Sequence, residues 1–214
     1  MKQEDTRQKI LDNALELFSA YGYDSVSVAE IAEAVGIKAP SLYNHFSGKQ
    51  AIFDAIVEEA AEEYERDTDK IDIHVQSAGQ DVPLFAEISE ELLFEKVRQI
   101  FAYSLHNKMI CLFRKMMTIE QFRSAQLRAF YTQRFVERLL NYHAEIFRAL
   151  IGADIICHED PNALALMYVS PVLTLIGICD REPEREAECL EKLKAHVHLF
   201  YSTVNCRAKE ANKL

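Results

Sequence analysis

Between Val35 and Gln50 the chain carries two lysines, a histidine, a tyrosine, an asparagine and two serines, and no acidic residue. Lys38, Ala39, Ser41, Tyr43, Asn44 and His45 alternate with the apolar Ile37, Leu42 and Phe46 at spacings that put the two classes on opposite sides of a short helix. Short polar side chains such as Ser41 and Asn44 donate and accept at once, which suits the edges of base pairs in a major groove, and a lysine at position 38 can reach a guanine. Tyr43, His45 and Lys49 suit phosphate oxygens, and the start of a helix beside Lys49 adds partial positive charge for the same purpose. Ser27, at the start of the preceding helix, completes the candidate nucleic-acid-binding set. Taken singly, Tyr43 is more readily a core tyrosine, His45 a surface histidine and Lys49 a solvated first-turn residue; their joint spacing favours contact with DNA.

Such a surface needs elements to hold it. Ile10, Ala14, Leu17, Phe18 and Tyr21 recur on one helical face, and Gly22 is a natural stop, so a first helix is expected over about 5–21. Ser27-Val28-Ala29-Glu30 has the form of a capping box that opens a second helix, ended after about two turns by Gly36. A third is expected from Ala39 to Phe46, with Pro40 in its first turn, where a missing N–H costs nothing. Ser47-Gly48-Lys49-Gln50 has the form of a second capping box and opens a fourth helix running to about Arg66. Two short helices joined by a glycine-containing turn make a helix-turn-helix.

The stretch SVAEIAEAVGIKAPSLYNHFSGKQ, Ser27 to Gln50, resembles the helix-turn-helix signature of the TetR (tetracycline-repressor-like) family of transcriptional regulators. Leu42-Tyr43-x-His45-Phe46 followed by Lys49 is its most distinctive part, and LFSAYGY, Leu17 to Tyr23, is similar to the end of that family's first helix. Lys38 departs from the pattern, since many members carry a short capping residue such as Ser there. The resemblance covers roughly the first quarter of the chain. It implies a ligand-responsive regulator, a repressor in most readings, that binds a palindromic operator as a homodimer and is released by a small-molecule effector held in the C-terminal body. The competing reading is a helical carrier or adaptor that has lost DNA binding.

The rest of the chain reads as helices over about 84–107, 109–121, 124–151, 162–179 and 184–208, after an irregular stretch from Asp67 to Val82 marked by Gly79 and Pro83. The fold class expected is all-α: a three-helix head (1–47), a connecting helix (48–66) and a larger body (67–214) for effector binding and dimerisation. Methionines and aromatics are dense between Leu84 and Leu150; such side chains make adaptable pockets, although an ordinary core is the commoner fate of any one of them, and it is the family resemblance that implies an effector cavity here. Phe101, His106, Phe113, Arg114, Met117, Phe135 and His143 are the candidate effector residues, for a small and at least partly apolar ligand. In the final helix Leu190, Leu193, Val197, Phe200 and Val204 repeat at spacings of three and four, the seam of a helix pair. With Met167 and Leu175 of the helix before it, Leu190, Leu193, Val197 and Phe200 form the expected dimer interface; the competing expectation is that this stripe packs inside its own subunit.

Composition narrows the alternatives. The 214 residues carry a formal net charge of −10, and the first fifty are themselves slightly acidic, so indiscriminate coating of nucleic acid is excluded and a local basic face on an acidic protein is favoured. No GxSxG, Walker loop, HExxH or dinucleotide fingerprint occurs, so the chain is not expected to be an enzyme and no cofactor is expected. His196 and His198, two apart on a helix, point to different sides and cannot chelate together, so no metal site is expected. The five cysteines form no CxxC pair, and nothing near Cys179 or Cys189 marks a reactive thiol. Neither a run of about 18 apolar residues nor an N-terminal signal core is evident, which places the chain in the cytoplasm.

Overall fold

The computed structural model describes residues 2–122 and 125–205. Eleven α-helices account for most of them, and no strand is present among the described residues beyond one isolated bridge between Ile156 and Asn205. The helices are α1 (Lys2–Tyr21), α2 (Val28–Val35), α3 (Ala39–Leu42), α4 (Lys49–Asp69), α5 (Ala78–Glu87), α6 (Glu90–His106), α7 (Lys108–Glu120), α8 (Ala125–Tyr131), α9 (Arg138–Gly152), α10 (Pro161–Arg181) and α11 (Glu186–Val204). A π-helical turn, Thr132–Glu137, precedes α9, and a 3-10 turn, Pro183–Arg185, precedes α11.

The chain divides into two compact units along a line that differs from the linear segmentation at 47 and 66. One unit holds residues up to Tyr64 together with Asn107–Tyr131; the other holds Glu65–His106 and Thr132–Leu214. In the first unit α1 packs against both α2 and α7. Ile10, Leu11, Ala14, Phe18, Ile31, Leu42, Ile52, Ile56, Met116 and Met117 are fully or almost fully buried. Two elements of very different sequence position thus share one core, which local periodicity cannot show.

In the second unit α5 and α10 pack on α9, and α6, α10 and α11 close the layer. Its core joins Phe101, Ile146, Phe147, Leu150, Tyr168, Val169, Leu193, Val197 and Phe200. The stretch read as irregular is shorter than expected: α4 continues to Asp69, and α5 starts at Ala78 and runs through Pro83. Tertiary hydrogen bonds explain why a helix forms across a local breaker. Buried Asp81 accepts from the His74 backbone N–H (2.7 Å), from His74 Nδ1 (2.6 Å) and from the Tyr142 hydroxyl. The expected single helix from Ser124 is broken by the π-helical turn, and its start lies outside the described residues, as does the expected end of the last helix at Ala208.

The helix α10 is apolar over most of its length. It holds no unbroken run of about 18 apolar residues, yet it is long and apolar enough, by length and composition alone, to cross a membrane. The reason is that both of its faces are apolar. Leu164, Ala165, Tyr168, Val169, Leu175, Ile176 and Cys179 face the core of their own unit, whereas Leu166, Met167 and Leu173 are exposed. The seam of α11 is likewise used within the subunit: Leu193, Val197, Phe200 and Val204 are buried in that same core and Leu190 packs on it, as does Leu175 of α10. Of the expected dimer residues only Met167, 52% exposed, remains free for a partner. A stripe with helical period is satisfied equally by its own subunit or by a second one, so spacing alone could not choose.

His143 shows what this core demands of a polar group. Its Nδ1–H donates to the Leu139 carbonyl (2.9 Å), its ring lies against Tyr142, Phe147 and Tyr168, and burial pushes its pKa down to about 4. The folded protein therefore resists taking up a proton that the unfolded chain accepts near the ordinary histidine value of about 6.5, so this contribution to stability is complete above that pH and lost as pH falls towards 4. The expected result in urea titrations across pH is that His143→Phe flattens the acid limb between about pH 6.5 and 4, by up to ~3 kcal/mol relative to the wild type.

Candidate nucleic-acid interface

The helix-turn-helix is built from local hydrogen bonds that the sequence specifies. The Ser27 hydroxyl accepts from the Glu30 N–H (3.2 Å), and the Glu30 carboxylate accepts from the Ser27 N–H (2.7 Å) and hydroxyl (2.7 Å), so the capping box is complete. These bonds favour the ionised carboxylate and hold the Glu30 pKa below the usual range. At the other end Gly36 takes φ +78°, a left-handed conformation in which a side chain is strained. The Ile37 N–H then reaches back to the Ala32 carbonyl (2.9 Å), the six-to-one bond of a Schellman end. Ser27 is thus engaged by the cap, which sets the direction of α2.

The third element is shorter than expected. Only Ala39–Leu42 is α-helical; beyond it the Asn44 N–H bonds the Ser41 carbonyl (3.3 Å) and the His45 N–H bonds the Leu42 carbonyl (2.9 Å), tightening the last turn to i→i+3 geometry. Leu42 and Phe46 are buried behind it, and the Arg7 guanidinium covers the Phe46 ring at 5.1 Å. Lys38, Tyr43 (55% exposed) and Asn44 are exposed, and Ala39, Ser41 and His45 half-buried. Among the described residues, the side chains of Lys38, Ser41, Tyr43, Asn44 and His45 make no hydrogen bond or ion pair within the protein. Five polar side chains with no internal partner, on a segment anchored from behind, are free to meet a polar surface.

Lys49, expected to meet phosphates, is turned instead towards backbone carbonyls. Its ammonium donates to the carbonyls of Tyr23 (2.7 Å) and Val26 (2.8 Å), approaches that of Asp24 (3.5 Å) and sits 4.3 Å from the centre of the Tyr23 ring. An ammonium has three donors, and these are directed at the turn between α1 and α2. The second capping box is not formed either. The Gly48 carbonyl accepts the first helical bond of α4, from Ile52, and Gln50 instead accepts from the Tyr23 hydroxyl (3.1 Å) and donates to Asp54 (2.8 Å). Tyr23 and Glu120 were missed in the sequence. The Tyr23 ring meets Phe18 at a tilt and Phe53 edge to face, and its backbone N–H donates to the Glu120 carboxylate (2.9 Å), which is 1% exposed on α7. Carboxylates in this acidic chain read as surface groups, and nothing local marks Glu120 as buried.

The candidate effector residues are not gathered in one unit. Phe113, Arg114 and Met117 belong to the first, where Phe113 and Met117 are core residues of α7; Phe101, His106, Phe135 and His143 belong to the second. His106 is exposed and pairs with Glu186 (2.9 Å), and Arg114 lies 4.0 Å from the Cys111 sulfur. Buried Cys179 and Cys189 adjoin each other, and burial pushes the Cys179 thiol up to about 12, opposite to the shift a reactive thiol needs. Among the described residues no group of three or more His, Cys, Asp or Glu side chains is arranged to hold a metal ion.

Residues 10–56 match the family model described as bacterial regulatory proteins, tetR family. Residues 10–56 thus carry a TetR-type helix-turn-helix. Over 51 residues it is 47% identical to the biofilm operon icaADBC HTH-type negative transcriptional regulator IcaR of Staphylococcus aureus, a match covering 24% of this chain and 27% of that protein. Over 52 residues it is 42% identical to the HTH-type transcriptional repressor ComR of Escherichia coli, covering 24% and 25%. The chain thus spans about a quarter of the length of these curated relatives. Beyond the TetR head, the likeness is one of fold. A TetR-family regulator from Mesorhizobium loti superposes with TM-score 0.66 at 21% identity, covering 96% of this chain and 99% of that one. The SmeT–triclosan complex gives 0.65 at 20% identity, covering 94% and 92%.

In this TetR head the cap at Ser27 is the local bond most open to a direct test. Ser27→Ala removes the acceptor for Glu30 N–H and the hydroxyl that donates to the Glu30 carboxylate, and leaves the bond from the residue's own N–H. The expected result in thermal or urea unfolding is a loss of about 1 kcal/mol, with Ser27→Asp restoring most of it.

Proposed function

We propose that this protein is a DNA-binding transcriptional regulator of the repressor type, acting as a homodimer on a palindromic or nearly palindromic operator in the cytoplasm. The observation that carries the reading is the set of Lys38, Ser41, Tyr43, Asn44 and His45, unpaired within the protein on a segment whose rear is buried. Ser41 and Asn44 read base edges, Lys38 and Ala39 border the groove, and Tyr43 and His45 meet phosphates. A carrier or adaptor without DNA binding has no use for such a surface. Footprinting on the DNA flanking the protein's own coding region tests the reading: protection of a two-fold symmetric site is expected, and binding without sequence preference counts against it. Asn44→Ala is expected to cost about 1–3 kcal/mol at that site and to relax preference at one position in each half-site, measured by competition against random DNA.

The dimer reading rests on α10. Ala163, Leu166, Met167, Leu173 and Thr174 are exposed and follow one another at helical spacing, with Leu166 55% exposed, and α11 adds Leu199 at 65%. An apolar stripe along a helix whose opposite face is already buried suits a second copy of the same hairpin, related by a two-fold axis. Leu166→Lys combined with Leu199→Lys is expected to give a folded monomer in sedimentation velocity; a dimer unchanged by the pair of substitutions argues against this face.

The effector is proposed to be small and at least partly apolar. Among proteins of like fold, one is named a flavonoid-responsive regulator, FrrA (TM-score 0.62, 20% identity), and SmeT is described with triclosan. Phe101, Phe135 and His143 remain candidates in the second unit.

A further inference from the structure

The turn between α1 and α2 is held from two directions by charged side chains that come from elsewhere in the same unit. Gly22 takes φ +84°, ending α1, and Val26 precedes the cap residue of α2, so the few residues between them fix where the helix-turn-helix begins. Tyr23 lies at their centre, and each of its polar groups is engaged. Its N–H donates to Glu120 of α7 (2.9 Å), its carbonyl accepts from Lys49 of α4 (2.7 Å), and its hydroxyl donates to Gln50 (3.1 Å). Lys49 also binds the Val26 carbonyl (2.8 Å), one residue before the Ser27 cap.

A buried carboxylate and a lysine aimed at backbone carbonyls are costly ways to fill space. Apolar side chains of similar size would avoid desolvating a charge but would leave the Tyr23 N–H and the Tyr23 and Val26 carbonyls without these partners. Charged hydrogen bonds are instead short and directional, and a displacement of about an ångström leaves a buried charge without its partner. They therefore fix position more sharply than apolar contact does.

We infer that Lys49 and Glu120 are positioning residues for DNA binding. They clamp the α1–α2 turn at Tyr23 and Val26, and through the Ser27 cap they set the placement of α2 and α3. Lys49 then acts on DNA affinity without neutralising a phosphate, and α7 bears on the DNA-reading surface although it carries no residue of it. The inference rests on the DNA-binding reading above.

The test separates a clamp from a phosphate contact by charge and by salt. Full-length wild type, Lys49→Arg, Lys49→Met, Glu120→Gln and Glu120→Ala are titrated against the footprinted operator and against random DNA across a salt series. Melting curves establish the folded fraction, and amide exchange is followed without DNA. Lys49→Arg keeps the charge but alters the geometry at the two carbonyls, so a clamp predicts weaker operator binding, by roughly tenfold or more, with an unchanged salt slope. Lys49→Met is expected to behave alike, again without the loss of about one from the slope that a phosphate contact would give. Glu120→Ala is expected to speed exchange between Tyr23 and Ile31 and to weaken operator binding, with Glu120→Gln, which keeps an acceptor, intermediate. Lys49→Arg and Glu120→Gln carry the test if the more drastic variants fail to fold. Wild-type affinity in Lys49→Arg together with a slope reduced by about one in Lys49→Met makes Lys49 a phosphate ligand and overturns the inference. So do folded Glu120 variants with wild-type affinity and exchange. Absence of specific binding by the wild type overturns the DNA reading itself, and the inference with it.

Discussion

A helix of one turn cannot hold its own shape, because nucleation fixes several residues for very few hydrogen bonds. The segment from Ala39 to Phe46 is in that position, and the rest of the first unit answers the constraint. Leu42 and Phe46 anchor it from behind, the left-handed Gly36 delivers it at a set angle from α2, and the Ser27–Glu30 box fixes the start of α2. Behind these lies the aromatic group of Phe18, Tyr23 and Phe53, with ring centres 5.2–6.3 Å apart, joining α1 to α4. A surface that reads DNA must arrive already ordered, since ordering it on contact would be subtracted from affinity.

Charge is handled locally. A chain of net charge −10 repels a polyanion on average, yet the window from Val35 to Gln50 has no acid. Within it only Lys38 carries a cation free of internal partners, because Lys49 is turned to backbone carbonyls. On the DNA-binding reading proposed above, recognition of a site would rest on shape and base edges more than on charge.

The second unit solves a different problem with one long helix. α10 covers α9 with one face and leaves the other apolar and open, so its sequence is apolar all round, as a buried helix would be. Two buried polar groups in this unit are held by partners: Asp81 accepts from His74 and Tyr142, and His143 donates to the Leu139 carbonyl. The buried carboxylate holds the α4–α5 connection where glycine and proline signal a break.

What the sequence determined by itself is what depends on neighbours along the chain. The Ser27 box and the Gly36 stop involve partners within about five residues, so spacing alone revealed them, and the same spacing marked the apolar rear of the recognition segment without saying what covers it. The all-α class followed for the same reason, since 3.6-residue periodicity and sparse Gly and Pro are local properties. Tertiary structure alone decided which partner each surface found. Lys49 looked like a free first-turn cation until the chain brought the carbonyls of Tyr23 and Val26 against it. Glu120 looked exposed until α7 packed on α1. The stripe of α11 fitted a second subunit as well as its own core, and α6 and α10 took it first. Periodicity states that a helix has a face to bury; only the return of distant chain segments states against what.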